Sequence, residues 1–391
     1  MVWRLSALRL TVMTCVACAG GEARVAQPGE PTASPSITNP FEGARFYVNP
    51  DYVVEVEQAA AATPGLASRL RQVESYPSAI WIDSIAKASE VSRYLDDAVV
   101  QRTARRAPVL VVLALYDLPN RDCAAASSSG ELSVEHDGES RYRTDFIDRI
   151  AGELSRHPAV RVVAILEPDS LANLATNLDQ PRCAAAEGAY RRSIAYAVRA
   201  LSLPNVSIYL DAAHAGWLGW DANRDKIARV YADVLALAGG EGSVRGFATN
   251  VSNYNSLNGG EGARLEPSDP CPDELTYVRR LGDSLAAAGV RARRFIVDTS
   301  RNGQAVRTKW GSWCNVRGAG LGERPRASPA DGVDAYYWIK PPGESDGTSD
   351  PQAPRFDAAC ASADSTPGAP QAGALFPSYL AELVARARPP L

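Results

Sequence analysis

The 391-residue chain contains few lysines, histidines and methionines: four, three and two, respectively. Its basic residues are therefore almost all arginines, and its formal net charge is −4. Without a basic excess the chain has no electrostatic footprint for a nucleic acid, so we expect no nucleic-acid partner. It also lacks a run of about 20 apolar residues, the length that a membrane-spanning helix needs.

The scarcity of histidine argues against two classes of hydrolase. His136, His157 and His214 form no pair at the spacing of metal ligands on a helix. A metal-dependent hydrolase would have to use His214 with Asp211 and Asp169, which is a weak ligand set. A serine triad is also disfavoured, because His214 has no obvious nucleophile as a partner.

Cysteine is present in an odd number after the first 20 residues. The five cysteines in question show no Cys-x-x-Cys spacing of a zinc site, and they are Cys123, Cys183, Cys271, Cys314 and Cys360. At least one thiol must therefore be free or bonded to a partner. The spacing alone does not define which cysteines pair.

The N-terminus reads as a targeting segment. Residues 1–20 carry two arginines around a short apolar core followed by small residues, which predicts an export signal. Cys15 and Cys18 lie where a lipoprotein signal would place its lipidated cysteine, so secretion and a lipid anchor both remain open. Residues 21–38 are rich in Pro, Ser and Thr and predict a linker. Export would permit disulfides.

Beyond this leader, β-branched apolar runs alternate with segments of helical periodicity. The runs cover residues 109–115, 160–166, 206–210, 246–251, 294–297 and 335–339. The helical segments cover residues 145–156, 190–201, 226–238 and 274–288. This alternation predicts an α/β fold of parallel strands joined by crossover helices. We expect residues 39–391 to form a single barrel domain.

Polar residues cluster directly after the apolar runs, where each predicted strand ends. The clusters are residues 116–122, 167–170, 211–214, 253–255, 298–302 and 340–346. Because the carboxyl ends of parallel barrel strands meet at one face, we expect these carboxylates to share a site with an arginine, a lysine and a histidine.

Crowded carboxylates favour one kind of chemistry. Like charges cannot all ionise in a site of low dielectric, so the pKa of some of these acids should rise. Protonated and ionised carboxylates then coexist near neutral pH, as acid–base cleavage of a glycosidic bond requires. Pro168 restricts the backbone before Asp169 and would aim that side chain into the cleft. Trp217 and Trp220, in a glycine-rich stretch, are suited to stacking on pyranose rings.

Four longer motifs resemble glycoside hydrolase family six, the inverting cellulases, which comprise cellobiohydrolases and endoglucanases. They are Tyr-Asp-Leu-Pro-Asn-Arg-Asp-Cys at 116–123, Glu-Pro-Asp-Ser-Leu-Ala-Asn at 167–173, Leu-Asp-Ala-Ala-His-Ala-Gly-Trp-Leu-Gly-Trp at 210–220 and Lys-Pro-Pro-Gly-Glu-Ser-Asp-Gly at 340–347. The resemblance covers residues 39–391. It implies a distorted (β/α) barrel related to the TIM barrel but with fewer strands. It also implies a monomer with a β-1,4-glucan substrate, no cofactor and no catalytic metal.

The resemblance also implies roles for individual residues. Asp169 would be the general acid, and Asp122 would keep it protonated and stabilise an oxocarbenium-like transition state. Asp346 would be the candidate general base, acting directly or through a chain of waters. Ser128 would hold the nucleophilic water, and Tyr116 would press on the distorted sugar.

Further residues follow from the same motifs. Asp211 would assist the acid cluster. The implied substrate-binding residues are Trp81, Asp83, His214, Trp217, Trp220, Asn253, Arg301, Trp313, Lys340 and Glu344. The implied disulfides are Cys123–Cys183 and Cys314–Cys360, which would leave Cys271 unpaired.

The mode of action depends on loop length. The long segment between Cys314 and Cys360 resembles the roof loop of fungal cellobiohydrolases more than the short loop of endoglucanases. We therefore expect cellobiose to be released from chain ends. The alternatives are an endoglucanase with an open cleft and a non-catalytic glucan-binding protein, although every expected acid is present.

Overall fold

The computed structural model describes Val2 and residues 38–105, 107–259, 266–305 and 311–391. Apart from Val2 and residue 38, the predicted export signal and linker lie outside the described residues. Ile37–Leu391 form one compact unit. Within the described residues, no helix combines the length and the apolar character that crossing a membrane would require.

The unit is built from nine strands and twelve helices among the described residues. The strands are β1 Arg45–Phe46, β2 Ile80–Ile82, β3 Val109–Leu115, β4 Arg161–Leu166, β5 Val206–Asp211, β6 Val244–Thr249, β7 Arg294–Asp298, β8 Arg326–Ala330 and β9 Val333–Tyr337. The helices are α1 Pro50–Ala62, α2 Ala67–Val73, α3 Ile85–Ala88, α4 Val91–Arg105, α5 Gly138–Arg141, α6 Asp148–Arg156, α7 Ser170–Thr176, α8 Pro181–Ala200, α9 Ala215–Leu218, α10 Asp221–Leu237, α11 Glu274–Ala287 and α12 Pro377–Ala385. A π-helical turn, Tyr142–Ile147, leads into α6.

Seven parallel strands form a closed but irregular ring. The order is β2, β3, β4, β5, β6, β7 and β9, each paired in parallel with the next. The ring closes where Ser78 pairs in parallel with Trp338, and the Ala79 N–H donates to Trp338 O at 2.9 Å. β1 adds to the amino end of β3, and β8 is antiparallel to β9. The predicted α/β fold, a distorted (β/α) barrel, is confirmed.

Both faces of the ring are covered, which explains the nearly continuous apolar runs. All seven residues of β3 are buried, as expected for a parallel strand between two packed layers. Leu110 and Val112 point with Val163, Ile165 and Tyr209 into the barrel interior. The alternate residues of β3 pack in the larger cluster that contains the surrounding helices.

The predicted helices are all present, with different starting points. α8 begins nine residues before the predicted segment 190–201, because Pro181 supplies a favourable first helical position and alanines follow. The predicted segment 145–156 is helical throughout, although its first residues belong to the π-helical turn. α1, α2, α4 and α12 were not predicted, and α1 and α12 pack together over Trp338.

The end of the barrel opposite the polar clusters holds a buried ion pair. Asp334, at the start of β9, accepts hydrogen bonds from Arg245 Nε at 2.7 Å and Nη2 at 3.0 Å. The hydroxyl of Tyr209 donates to the same carboxylate at 2.6 Å. The side chain of Asp334 is 2% exposed. The ion pair therefore links β5, β6 and β9 from inside the barrel.

We predict that Asp334→Ala lowers the free energy of unfolding by about 3 kcal/mol, because it removes the carboxylate that pairs with the largely buried Arg245 guanidinium. Chemical denaturation of the two proteins measures this difference. Asp331→Ala is the control, since Asp331 is exposed in the turn before β9 and should change stability by less than about 0.5 kcal/mol. Equal stability of Asp334→Ala and the unmodified chain would contradict the structural role of the ion pair.

Candidate active site

The polar clusters that follow the strands lie around one cavity of about 590 Å³ at the carboxyl end of the barrel. Thirteen of the predicted site residues line it: Trp81, Asp83, Tyr116, Asp122, Ser128, Asp169, His214, Trp217, Asn253, Trp313, Lys340, Glu344 and Asp346. Asp211, Trp220 and Arg301 do not line it. Asp122, Asp169 and Asp346 therefore open onto one shared space.

Two carboxylates follow β4, and the structure separates their functions. Glu167 is fully buried and accepts hydrogen bonds from the Tyr142 hydroxyl at 2.8 Å and from the Asp117 and Leu118 N–H groups at 3.3 Å. These hydrogen bonds hold the segment that follows β3 against the end of β4. Asp169 instead faces the cavity, at the residue before α7. The Glu-Pro-Asp motif thus contains one structural and one cavity-facing acid.

Asp169 lies in a strained and electrostatically unfavourable position for an ionised acid. Its φ of +64° lies in the left-handed region, which non-glycine residues adopt mainly where surrounding contacts impose it. Burial raises the pKa of Asp169 well above its ordinary value, and the charges of Asp122, Asp211 and Asp346 raise it further. The environment of Asp169 therefore favours the protonated form of its carboxyl.

Asp122 closes the first motif and is the acid that interacts most strongly with Asp169. Burial raises its pKa to about 6, while the neighbouring Arg121 guanidinium opposes this rise. The charge of Asp357 raises the pKa, and a hydrogen bond from the Ser128 side chain lowers it. At neutral pH Asp122 is thus mostly ionised beside a protonated Asp169.

Asp211 acts from behind Asp169 and does not line the cavity. One carboxylate oxygen, Oδ2, accepts the Asp169 N–H at 2.9 Å and the Ala213 N–H at 3.0 Å. Burial raises the pKa of Asp211 to about 7, although these two backbone hydrogen bonds lower it. Asp211 therefore positions the Asp169 backbone and adds negative charge beside its carboxyl.

Asp346 has a different environment from the other acids. Arg301 Nη1 lies 2.8 Å from both carboxylate oxygens, and the Tyr254 hydroxyl donates to Oδ2 at 2.8 Å. The Asn315 N–H donates to the same oxygen at 2.8 Å. The Arg301 side chain has no exposed surface. A cation and two neutral donors thus surround the Asp346 carboxyl group, and Arg301 supports it from outside the cavity.

Arg121 organises the wall next to Asp122. Its guanidinium lies 4.4 Å from the centroid of the Tyr116 ring. Nη1 donates to the carbonyl oxygens of Tyr116 and Asp83, and Nε donates to Ser128 O at 2.8 Å. Tyr116 and Trp81 meet edge to face, with 5.5 Å between their centroids. The buried Arg121 guanidinium thereby connects the segments that carry Trp81, Asp83, Tyr116 and Ser128.

The far end of the cavity is rich in polar groups around Trp81. The indole Nε1 donates to Ile339 O at 2.8 Å, and Lys340 Nζ lies 5.4 Å from the ring centroid. Lys340 Nζ also lies 3.6 Å from Glu344 Oε2. Burial raises the pKa of Glu344, and it raises the pKa of the neighbouring Glu55 to about 8. This combination of a ring, a lysine and carboxyl groups can bind several sugar hydroxyls.

The other predicted tryptophans differ in their exposure to the cavity. The Trp217 Nε1 donates to Thr176 Oγ1 at 2.8 Å, and its ring centroid lies 6.0 Å from that of His214. Both residues line the cavity, as does Trp313. Trp220 instead donates from Nε1 to Ser268 Oγ at 3.3 Å, away from the cavity lining.

Several lining residues were not predicted. The set includes Asn49, Asp51, Tyr52, Glu55, Lys87, Tyr94, Asn173 and Arg355. The first four precede or belong to α1, and Lys87 belongs to α3, so these five do not follow a long apolar run. One signal was available, since Asn49-Pro50-Asp51 is a typical helix start, and Asn49 Oδ1 accepts the Asp51 N–H.

Residues 343–347 read Gly-Glu-Ser-Asp-Gly, the spacing of the nucleophile motif of serine hydrolases. In the structure, Ser345 has a structural role instead. Its side chain is fully buried, and its hydroxyl donates to Pro370 O at 2.9 Å and accepts from Asn315 Nδ2 at 3.2 Å. Ser345 therefore braces the turn that carries Asp346.

Two disulfides border the loops over the cavity. They are Cys123–Cys183 and Cys314–Cys360, the pairs that the resemblance implies. Cys271 is a buried free thiol, and Arg224 Nη1 donates to its sulfur at 3.3 Å. Among the residues that the structure describes, no group of three or more His, Cys, Asp or Glu side chains is arranged to hold a metal ion.

The profile of Glycosyl hydrolases family 6 matches residues 41–387. Exoglucanase 3 of Agaricus bisporus is 43% identical over 357 residues, which are 90% of this chain and 80% of that protein. The CcCel6A catalytic domain, solved with p-nitrophenyl β-D-cellotrioside, is 45% identical with a TM-score of 0.88, over 91% of this chain and 99% of that one. Cellobiohydrolase II of Humicola insolens, solved with glucose and cellotetraose, is 38% identical with a TM-score of 0.87, over 90% and 100%.

We predict that Asp211→Asn lowers the pKa of Asp169, because it removes a charge that disfavours ionisation of that carboxyl. Titration of ¹³C-labelled aspartate carboxyl groups by NMR would show the Asp169 signal shifting at lower pH in the variant. Asp179→Asn is a matched control, since Asp179 is exposed before α8 and should leave the titration unchanged. An unchanged Asp169 titration in Asp211→Asn would contradict the coupling.

Proposed function

Because the chain belongs to the glycosyl hydrolases of family 6, we propose that its acid-lined cavity cleaves β-1,4-glucan with Asp169 as the general acid. The protein is a cellobiohydrolase, an exoglucanase that hydrolyses the β-1,4-glucosidic bonds of cellulose. The residue assignments rest on one observation. Asp169, whose pKa is raised, lies in the same cavity as other carboxyl groups whose charges raise it.

Protonation of the leaving group is the first part of the mechanism. Asp169 gives its proton to the glycosidic oxygen as the bond to the anomeric carbon breaks. Its raised pKa keeps that proton available near neutral pH, and Asp122 maintains this state through its own charge. As the sugar develops oxocarbenium character, the ionised Asp122 stabilises the positive charge.

Water attack on the opposite face of the sugar completes the reaction. Ser128 lines the cavity beside Asp122 and is placed to hold the attacking water. Asp346, which pairs with Arg301, accepts the proton of that water directly or through further waters. Because the water and the leaving group lie on opposite faces, the anomeric configuration inverts.

The aromatic and polar walls hold successive glucosyl units on both sides of the cleaved bond. Trp81 stacks on one sugar ring, while Lys340 and Glu344 bind its hydroxyls. Trp217, His214 and Trp313 hold the other side of the chain. Tyr116, packed against Trp81, presses on the sugar at the cleavage point and favours its distortion.

Release from chain ends is supported by the loops above the cavity. Ala124, Ala125 and Ser128 line it from one loop, and Arg355 lines it from the segment that ends at Cys360. Loops on both sides restrict entry from above, so a glucan chain enters by its end and releases cellobiose. The two disulfides support an extracellular location, where oxidised cysteines persist.

Removal of the acid tests the assignment of Asp169. We predict that Asp169→Asn lowers kcat on cello-oligosaccharides by about 10³-fold, because general acid catalysis contributes about 10²–10⁴. The same variant should lose far less activity on 2,4-dinitrophenyl β-cellobioside, whose leaving group departs without a proton. Comparison of kcat on the two substrates measures the effect.

Asp179→Asn is again the control and should retain activity on both substrates. An equal loss on both substrates by Asp169→Asn would contradict the role of general acid and indicate a positioning role. Undiminished hydrolysis of cello-oligosaccharides by that variant would remove Asp169 from the mechanism.

Stereochemistry tests the role of water. We predict that the first product formed from cellotetraose carries the α configuration at its new reducing end, because a water between the carboxylates inverts the β-linkage. Proton NMR within the first minutes of reaction reads the anomeric signal before mutarotation. A β product would show that a carboxylate attacks the sugar directly.

A further inference from the structure

Two loops meet over the catalytic centre. The serine loop, residues 124–129, carries Ser128, and the disulfide loop, residues 347–360, ends at Cys360. Asp357 of the disulfide loop accepts the Ala126 N–H through Oδ2 at 3.1 Å. Its other oxygen, Oδ1, accepts the Ala359 N–H at 3.0 Å and caps the short helix Ala358–Ala361.

We propose that Asp357 is a positioning residue that ties the serine loop to the disulfide loop, so that both loops hold one fixed placement over the catalytic centre. This inference rests on the proposed function for its effect on catalysis. The tie itself is a structural feature that can be tested without substrate.

The two loops have complementary surfaces at this point. A Cβ added at Gly347 would lie 2.6 Å from the Cys360 sulfur and 2.7 Å from the Ser127 Cβ. Such distances leave no space for a side chain, so the backbone of one loop packs directly on the other. The Asp357 hydrogen bond therefore fixes loops that are already in contact.

Other contacts restrain the serine loop at both ends and the disulfide loop at its end. Cys123–Cys183 anchors the start of the serine loop, and Cys314–Cys360 anchors the end of the disulfide loop. Arg121 holds the far end of the serine loop through the carbonyl oxygens of Ser128 and Ser129. Asp357 supplies a side-chain hydrogen bond between the two loops at Ala126, midway along the serine loop.

The placement matters because both loops deliver side chains to the cavity. Ser128 hydrogen-bonds to Asp122, and Arg355 lines the cavity two residues before Asp357. Movement of the serine loop would displace the group that holds the attacking water. Small displacements of this kind lower kcat more than they weaken substrate binding.

Asp357 does not itself serve as a catalytic acid or base in this arrangement. It does not line the cavity, and each carboxylate oxygen accepts a backbone N–H. A reading in which Asp357 only caps its own helix remains as the competing explanation. The two N–H partners allow the explanations to be separated.

Asp357→Asn is the decisive variant. Asparagine caps a helix as well as aspartate does, but its side chain places an NH₂ donor where aspartate has its second oxygen, so in this geometry only one of the two N–H groups keeps an acceptor. The variant thus retains the cap and loses the tie. Asp357→Ala loses both, and Asp350→Asn is the matched control, because the Asp350 side chain accepts the Gln352 N–H within the same loop.

Hydrogen exchange followed by mass spectrometry measures, in the absence of substrate, whether the hydrogen bond between Asp357 and Ala126 restrains the serine loop. We expect faster exchange in residues 124–129 for Asp357→Asn and Asp357→Ala, and unchanged exchange for Asp350→Asn. On cello-oligosaccharides, both Asp357 variants should lower kcat about tenfold and change KM less than about threefold, since a hydrogen bond to a charged group is lost.

Exchange of residues 124–129 that stays at the unmodified level in Asp357→Asn would overturn the proposal and leave the helix cap as the function of Asp357. Should Asp357→Ala fail to fold, Asp357→Asn alone decides. An unmodified protein without hydrolytic activity would contradict the proposed function, whereas the exchange result would still stand.

Discussion

The site depends on one electrostatic constraint: several carboxyl groups share a cavity that cannot accommodate all of them as anions. Burial raises the pKa of Asp169, Asp122 and Asp211, and the charges of Asp122, Asp211 and Asp346 raise that of Asp169 further. The conflict is resolved because the carboxyl groups differ in their ion-pair and hydrogen-bond partners. Asp346 receives Arg301 and Asp211 receives two backbone N–H groups, whereas the Asp169 carboxyl has neither kind of partner among the described residues. Protonation is therefore favoured most at Asp169, the proposed general acid.

The backbone that presents these acids is itself strained. Asp122, Glu167 and Asp169 all have positive φ values, as do Ala213 and Asn315 beside Asp211 and Asp346. Such conformations cost of order 1–3 kcal/mol each and persist only where the surroundings impose them. The barrel supplies that constraint through buried strands and through Glu167, which is bonded to the next loop. Stability of the barrel thus supports an arrangement of acids that would not form in a flexible segment.

Most of the barrel could be predicted from sequence, because β3 to β7 and β9 are long apolar runs and the acids follow them directly. β2 has three residues and shows no periodicity, so the closure of the ring through Ser78 and Trp338 could not be predicted. The positions of the acids on the chain predicted a shared rim, but not the difference between Asp169 and Asp211. That difference depends on which carboxyl faces the cavity and which one accepts the Asp169 N–H, and both follow from three-dimensional placement.

The dominance of arginine over lysine in the composition has a counterpart in the site. Arg121 bonds carbonyl oxygens of Asp83, Tyr116, Ser128 and Ser129, and Arg301 bonds Asp346 and the Ser252 carbonyl. A planar guanidinium with five donors can hold several acceptors at once, whereas an ammonium group presents three donors at one point. Lysine instead lines the cavity at Lys340, the residue proposed to bind sugar hydroxyls. Arginines therefore fix the walls, and the walls determine which carboxyl groups remain charged.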